Sequence, residues 1–431
     1  MRRFITTMTC GFLFVLLLCS LPIAIAENAK PNILFILADD VGYEGLNCYG
    51  GESYPTPQLD ALASDGIQAM HCYSMPVCHP TRISLLTGCY PKDIGSPKWG
   101  SFPKSYEKKT IANALKSSGY TTAVAGKWQL TLLKDDPEQP FRLGFDDFCV
   151  FGWHEGPRYH DPMIYENGIV RSGTKGKFGP DLYREFLEGH MVNAQKKNKP
   201  FFAFYSMALC HDVTDDLKKP VPVSPSGKYL DYREMVVEMD RQVGLLVDFL
   251  KKEGLRKNTL LVFVADNGTP SRFIAYPDGN KLIKEPIFSI LNGKKIQGGK
   301  GKLDDTGTRV PLIINWPSTL TSGRKTDDLI DMSDFFATFI DVAGAKKKDN
   351  INGVSFLPMI KGNKSPRQWA YSESKKRSWV RTKDYKLYNN GFFAEVSSTE
   401  PGKETKVSRP LNTQQKTAFQ LLSEASKPLL K

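Results

Sequence analysis

The chain of 431 residues has no internal repeat and no long low-complexity segment, which excludes a solenoid or a fibrous array. It also has no zinc spacing among its eight cysteines, so a structural zinc module is excluded. After the N-terminus no second apolar run approaches the ~20 residues of a bilayer span, so no stable membrane span is expected there. No nucleic-acid-binding module is recognisable either, and the chain is not read as a partner of nucleic acid.

Other features are positive. Arg2 and Arg3, an apolar run from Cys10 and the small-x-small triplet Ala24-Ile25-Ala26 read as an export signal over residues 1–26. Gly11, Ser20 and Pro22 interrupt that run, which argues for cleavage rather than anchoring. The mature chain is expected to start near Glu27 and to be periplasmic or secreted. About 400 residues then remain, more than the roughly 250 to 300 that one core usually serves, so a large and a small domain are expected. Of the cysteines, Cys48, Cys72, Cys78, Cys89, Cys149 and Cys210 stay. A chain of this length needs no disulfide framework, so most of these read as small buried apolar residues. The formal charge of +12, or +10 without Arg2 and Arg3, favours polyanionic partners. In an exported protein such an excess can also serve solubility alone; among polyanions a sulfated glycan is favoured over nucleic acid.

Short apolar runs recur, each ending in polar residues. Asn32 to Ala38 ends in Asp39-Asp40, Thr121 to Ala125 precedes Gly126-Lys127, Phe201 to Met207 leads towards His211, and Leu260 to Ala265 ends in Asp266-Asn267. Helical patterns alternate with them, at Ile111 to Ser118 and Asp231 to Lys252. The alternation predicts an α/β fold, a large sheet sandwiched by helices. In open sheets ligands gather outside the carboxyl ends of the strands, so all four polar endings are expected at one edge. After the amphipathic Ser333 to Ala343 segment the pattern changes to brief strands, Ser378 to Arg381 and Tyr385 to Tyr388, and a closing helix from Thr413 to Leu430. The expected organisation is therefore residues 27–365 as the main domain and 366–431 as a small antiparallel sheet plus helix.

Cys78-His79-Pro80-Thr81-Arg82, running on through Leu86-Thr87-Gly88, resembles the signature of formylglycine-dependent sulfatases, which share the alkaline phosphatase superfold. The resemblance runs from Pro31 to the Val380-Arg381-Thr382 and Tyr385-Lys386-Leu387 segment. It implies an exported sulfuric ester hydrolase whose Cys78 is oxidised by a formylglycine-generating maturation enzyme to 3-oxoalanine. A hydrated aldehyde suits the reaction: one geminal hydroxyl can attack sulfur and the other can later expel sulfate. Arg82 would hold that hydrate with its fork of donors.

The same resemblance makes Asp39, Asp40, Asp266 and Asn267 metal ligands, with residue 78 completing the set. Hard oxygen donors alone suit calcium or magnesium; the resemblance favours calcium. Gly126-Lys127-Trp128 matches an element whose lysine contacts sulfate, but Gln129 stands where a histidine is usual. Glutamine can donate a hydrogen bond but cannot carry charge or transfer a proton. Lys199-Pro200-Phe201-Phe202 places His211 where the family has an active-site histidine, expected to protonate the departing alcohol or steady the sulfate oxygens. Gly299-Lys300-Gly301 before Gly307-Thr308-Arg309-Val310-Pro311 makes Lys300 the second sulfate-binding lysine, with Lys302 a rival. The loop Trp153 to His160 offers His154, Arg158 and His160 for the substrate, expected to be a sulfated saccharide. Two alternatives stay open: a phosphoesterase of the same superfold, and a catalytically impaired anion-binding homologue, which Gln129 keeps alive.

Overall fold

The computed structural model describes residues 30–212, 231–278, 281–320, 322–346, 348–397 and 399–429. The export-signal reading of residues 1–26 and the last position of the closing helix, Leu430, lie outside them. Residues Pro31–Lys431 form one compact unit that holds a large sheet and a small one.

The large sheet has ten strands, in the spatial order Arg324–Asp331, Ile67–Tyr73, Arg309–Asn315, Thr259–Ala265, Asn32–Ala38, Phe201–Ser206, Thr121–Lys127, Asp147–Phe151, Tyr165–Glu166 and Ile169–Val170. Its centre is parallel. The strand Asn32–Ala38 pairs in parallel with Phe201–Ser206 on one side and Thr259–Ala265 on the other, and Thr121–Lys127 continues the parallel run. Covered on both faces, these strands are largely apolar; the six residues Ile33 to Ala38 are fully buried. Arg309–Asn315 runs antiparallel to both of its neighbours, which makes the sheet mixed.

The helices Gly179–Lys196 and Tyr232–Lys252 lie among those flanking the sheet, the second opened by an Asp231 cap that accepts from the Glu234 N–H at 2.8 Å. On the Asn32–Ala38 strand, Phe35 packs against Phe335 and Phe339 of the helix Asp334–Val342. The second sheet has five antiparallel strands, Ala370–Ser374, Arg377–Arg381, Tyr385–Tyr388, Phe393–Val396 and Glu404–Lys406. The helix Thr413–Ser426 closes it, its start fixed by a capping box between Asn412 and Gln415. Two buried ion pairs join this sheet to the main body. Asp305 accepts from Arg381 at 2.5 Å and from Lys386 at 2.8 Å.

Candidate active site

Register brings the strand ends together. Ala38 pairs with Ala265, so Asp39 and Asp266 leave the sheet side by side, and Gly126 pairs with Ser206, which places Lys127 next to them. Position 126 requires glycine: its φ is 103°, and a Cβ there would stand 2.0 Å from the Ser206 carbonyl oxygen. Facing the strand ends is the N-terminus of the helix Cys78–Thr87, with Cys78 as its first residue and Arg82 one turn on.

The contacts are dense. Cys78, Asp39 and Asp266 each aim a ligand atom at one spot, all within 4.8 Å of one another, and all three residues are buried. Arg82 forks onto Asp266 Oδ2 from Nε at 3.1 Å and Nη2 at 2.7 Å, and its Nη1 donates to Ser206 Oγ. Lys127 Nζ donates to Asp39 Oδ2. Lys300 Nζ lies 2.6 Å from Asp40 Oδ1 and 2.7 Å from Oδ2, and Asn267 Nδ2 donates to Asp40 Oδ1 at 2.8 Å. His211 Nε2 stands 3.9 Å from Asp40 Oδ2, while its Nδ1 lies 3.0 Å from the Asp212 carbonyl. Nε2 is the ring nitrogen that faces the site.

Charge here is concentrated and nearly dry. Burial alone would raise Asp39, but the charges of Lys127, Arg82 and Lys300 hold it well below the usual carboxylate range. Asp266 is pushed up to about 7 by burial and by the Asp39 charge, and Asp40 is also raised, burial outweighing Lys300. His211 is lowered well below the usual imidazole range, first by burial and then by Lys300 and Lys127.

Two oxygens in the cluster, Asp39 Oδ1 and Asn267 Oδ1, are buried without a hydrogen-bond partner. Buried polar atoms are almost always satisfied, so orphans of this kind call for a ligand. Their chemistry is that of a hard cation site, and the residues present fit one.

Above the cluster opens a cavity of about 1500 Å³ lined by Cys78, Gln129, Trp153, His211, Lys300 and Trp99, among others. Gln129 is 1% exposed, and neither its Oε1 nor its Nε2 has a hydrogen-bond partner.

The family model described as Sulfatase matches residues 31–345, and one described as N-sulphoglucosamine sulphohydrolase, C-terminal, matches residues 300–400. The chain belongs to the sulfatase family. It is a sulfuric ester hydrolase on the alkaline phosphatase-like fold. Human arylsulfatase A (Homo sapiens) is 29% identical over 418 residues, covering 89% of this chain and 78% of its own. The N-acetylglucosamine-6-O-sulfatase of Bacteroides thetaiotaomicron is 25% identical over 522 residues, 93% of this chain and 87% of its own. Among solved structures, Ps i-CgsB in complex with k-i-k-neocarrahexaose superposes with a TM-score of 0.70 at 25% identity, covering 93% of this chain and 92% of that one.

Every residue expected at the catalytic centre of this sulfatase meets at one strand edge, whereas the three residues expected from the substrate loop stay outside the cavity. His154 is exposed and packs beside Trp99, with ring centroids 5.4 Å apart. Arg158 is fully buried, stacked on Trp153 at 4.8 Å and Phe151 at 5.2 Å, with Nη1 3.4 Å from His211 Nδ1. His160 packs on Phe178 at 5.3 Å. None of His154, Arg158 and His160 lines the cavity, contrary to the expectation that all three face the substrate. Arg158 supports His211 from outside the cavity.

The member that reaches the cavity is Trp153, not singled out from the sequence. Lys127 Nζ sits 4.6 Å over its ring, and His211 meets it at right angles at 5.0 Å. Two further supports went unnoticed. Ser206 Oγ accepts from Arg82 and donates to the Lys127 carbonyl at 2.7 Å, and Tyr232 donates to the Asp40 carbonyl at 2.7 Å. Ser206 could have been found as the only polar residue closing its apolar strand; Tyr232 carries no such signal.

Proposed function

We propose that this sulfatase removes sulfate from sulfated saccharides, using residue 78 as formylglycine and a calcium ion held by Asp39, Asp40, Asp266, Asn267 and residue 78. The observation that carries the reading is the convergence of Cys78 with two unpartnered carboxylate and amide oxygens beside Lys127, Lys300 and Arg82. The metal, when bound, supplies positive charge to the sulfate oxygens. The oxidised residue 78, as its hydrate, supplies an oxygen nucleophile and a way to release sulfate without leaving a stable ester.

The chain's own side chains do the rest. Lys127 and Lys300 are preorganised in a buried site, where cations fixed beforehand stabilise developing charge most effectively. In the ground state their charge is spent on Asp39 and Asp40; an incoming sulfate competes for it. Arg82, fixed by Asp266 and Ser206, holds residue 78 in line. His211 presents Nε2 to the leaving alcohol, a position suited to proton transfer. Gln129 donates from its unpartnered amide to a sulfate oxygen or to the hydrate.

A saccharide substrate agrees with the excess of positive charge, with the glycan named for two of the relatives above, and with Trp99, half exposed on the cavity wall. The export reading and the need for a maturation enzyme belong to the same proposal. The test is a screen of sulfated mono- and oligosaccharides with protein matured by co-expression, free sulfate being measured by ion chromatography. Sulfate release from at least one saccharide, absent in Cys78→Ala, is expected. Hydrolysis of phosphate esters with no release from any sulfate ester contradicts it.

A further inference from the structure

The cavity has a second wall that the catalytic residues do not use. Ser374 and Arg377 pair across a tight turn whose two tip residues are Lys375 and Lys376, and all four line the same cavity as Cys78. Lys302, from the loop after Lys300, joins them there. Lys302, Lys375, Lys376 and Arg377 are exposed, and among the described residues none has a carboxylate within 4.0 Å.

Three carboxylates line this part of the cavity, and each is already committed. Asp304 accepts from the Thr306 N–H at 2.9 Å, and Glu373 accepts from the Lys92 N–H at 2.8 Å and from the Tyr371 hydroxyl at 3.0 Å. Glu404 pairs with Lys386 at 2.8 Å and accepts from the Tyr388 hydroxyl at 2.9 Å. The wall therefore carries four cations, none of them in an ion pair among the described residues, against three carboxylates that hold other partners, at the mouth of a site whose own lysines are bound to Asp39 and Asp40. Like charges gathered this closely repel one another, and an anionic ligand relieves them. The cavity, about 1500 Å³, also exceeds the roughly 300 to 1,000 Å³ typical of a small-molecule pocket.

We infer that the hairpin turn Lys375-Lys376-Arg377, with Lys302, binds a second anionic group of the substrate while the first sulfate occupies the catalytic centre. The inference rests on the sulfatase reading and narrows it: the substrate is a saccharide bearing at least two anionic groups, sulfates or a sulfate and a carboxylate, on one or adjacent sugars. Trp99 on another wall gives the apolar face of a sugar ring its place. The large sheet holds the ester to be cut, and the small sheet reads the charge around it.

Isothermal titration calorimetry on the full matured protein separates the two parts, with sucrose octasulfate as the polyanionic probe and inorganic sulfate as the probe of the catalytic pocket. The wild type should bind the octasulfate more tightly than sulfate, with an affinity that falls as salt rises from about 0.1 M to 1 M. In K375Q/K376Q/R377Q, on an exposed turn, octasulfate binding should weaken by about tenfold or more and lose much of its salt dependence, with Tm and sulfate affinity unchanged. Lys302→Gln should weaken it in the same direction. Octasulfate affinity within twofold of wild type in the triple variant overturns the inference, as does a wild type that binds octasulfate no better than sulfate. Inorganic sulfate that fails to bind the wild type would count against the catalytic reading instead, whatever the octasulfate shows.

Discussion

Asp305 ties the small sheet to the body that carries the catalytic centre, and Asp305→Asn tests how much that tie contributes. The residue is 2% exposed, and Arg381 and Lys386, its partners at 2.5 and 2.8 Å, are equally buried. Lys386 keeps Glu404 at 2.8 Å after the change. Arg381 keeps the carbonyls of Thr382 and Lys383 and the rings of Tyr73 and Trp379, so one buried cation loses its only carboxylate among the described residues. Breaking a buried pair in this way costs about 3 to 5 kcal/mol, a fall in Tm on the order of 5 °C.

The pH dependence follows from the same contacts. Burial alone would raise Asp305, but Arg381 and Lys386 outweigh it and hold the carboxyl far below its ordinary value. A depressed acid contributes stability that is full above the unfolded value, ~3.9, and is lost as pH falls through the folded one. The gap between wild type and Asp305→Asn should therefore be constant from about pH 5 to 8 and narrow only on strong acidification. Differential scanning fluorimetry across that range reads it. A gap below 1 °C at pH 7, or one that widens on acidification, would refute the reasoning.

Chelation followed by dialysis should abolish turnover of any sulfate ester, with calcium restoring it, and Asp39→Ala should be inactive in all conditions; full activity after exhaustive chelation contradicts the metal assignment. His211→Ala should slow sugar sulfates by ~10² to 10⁴ and activated aryl sulfates much less, because a phenolate leaves without a proton; equal losses in kcat for both remove the acid role. Gln129→Ala should slow both substrate types by similar factors, and a variant as fast as wild type would leave that amide without a function.

Much of this was legible because the chemistry sits on regular elements. The central parallel strands are buried on both faces, so their sequences are uninterrupted apolar runs: Asn32 to Ala38 was bounded to the residue, and Phe201 to Met207 overran by one. Their polar ends then had to share one edge. The antiparallel strand Arg309–Asn315 was harder, because its apolar residues follow the Gly307-Thr308-Arg309-Val310-Pro311 motif, which reads as a loop; Pro311 is accommodated at a register irregularity between Val310 and Leu312. In the substrate loop the sequence pointed to His154, Arg158 and His160, but none of them lines the cavity and Trp153 does. The cationic hairpin was illegible for another reason. Lys375, Lys376 and Arg377 look like an ordinary solvated turn until the fold of the small sheet sets them on the wall of a cavity whose floor lies some three hundred residues earlier in the chain.

The central claim concerns one atom, the sulfur of Cys78, and mass spectrometry of the peptide spanning it tests that claim most directly. Protein co-expressed with a formylglycine-generating enzyme should yield a peptide in which the thiol is replaced by an aldehyde or its hydrate, in proportion to the rate of sulfate release. An intact, alkylatable cysteine at position 78 in a preparation that still hydrolyses sulfate esters would contradict the account.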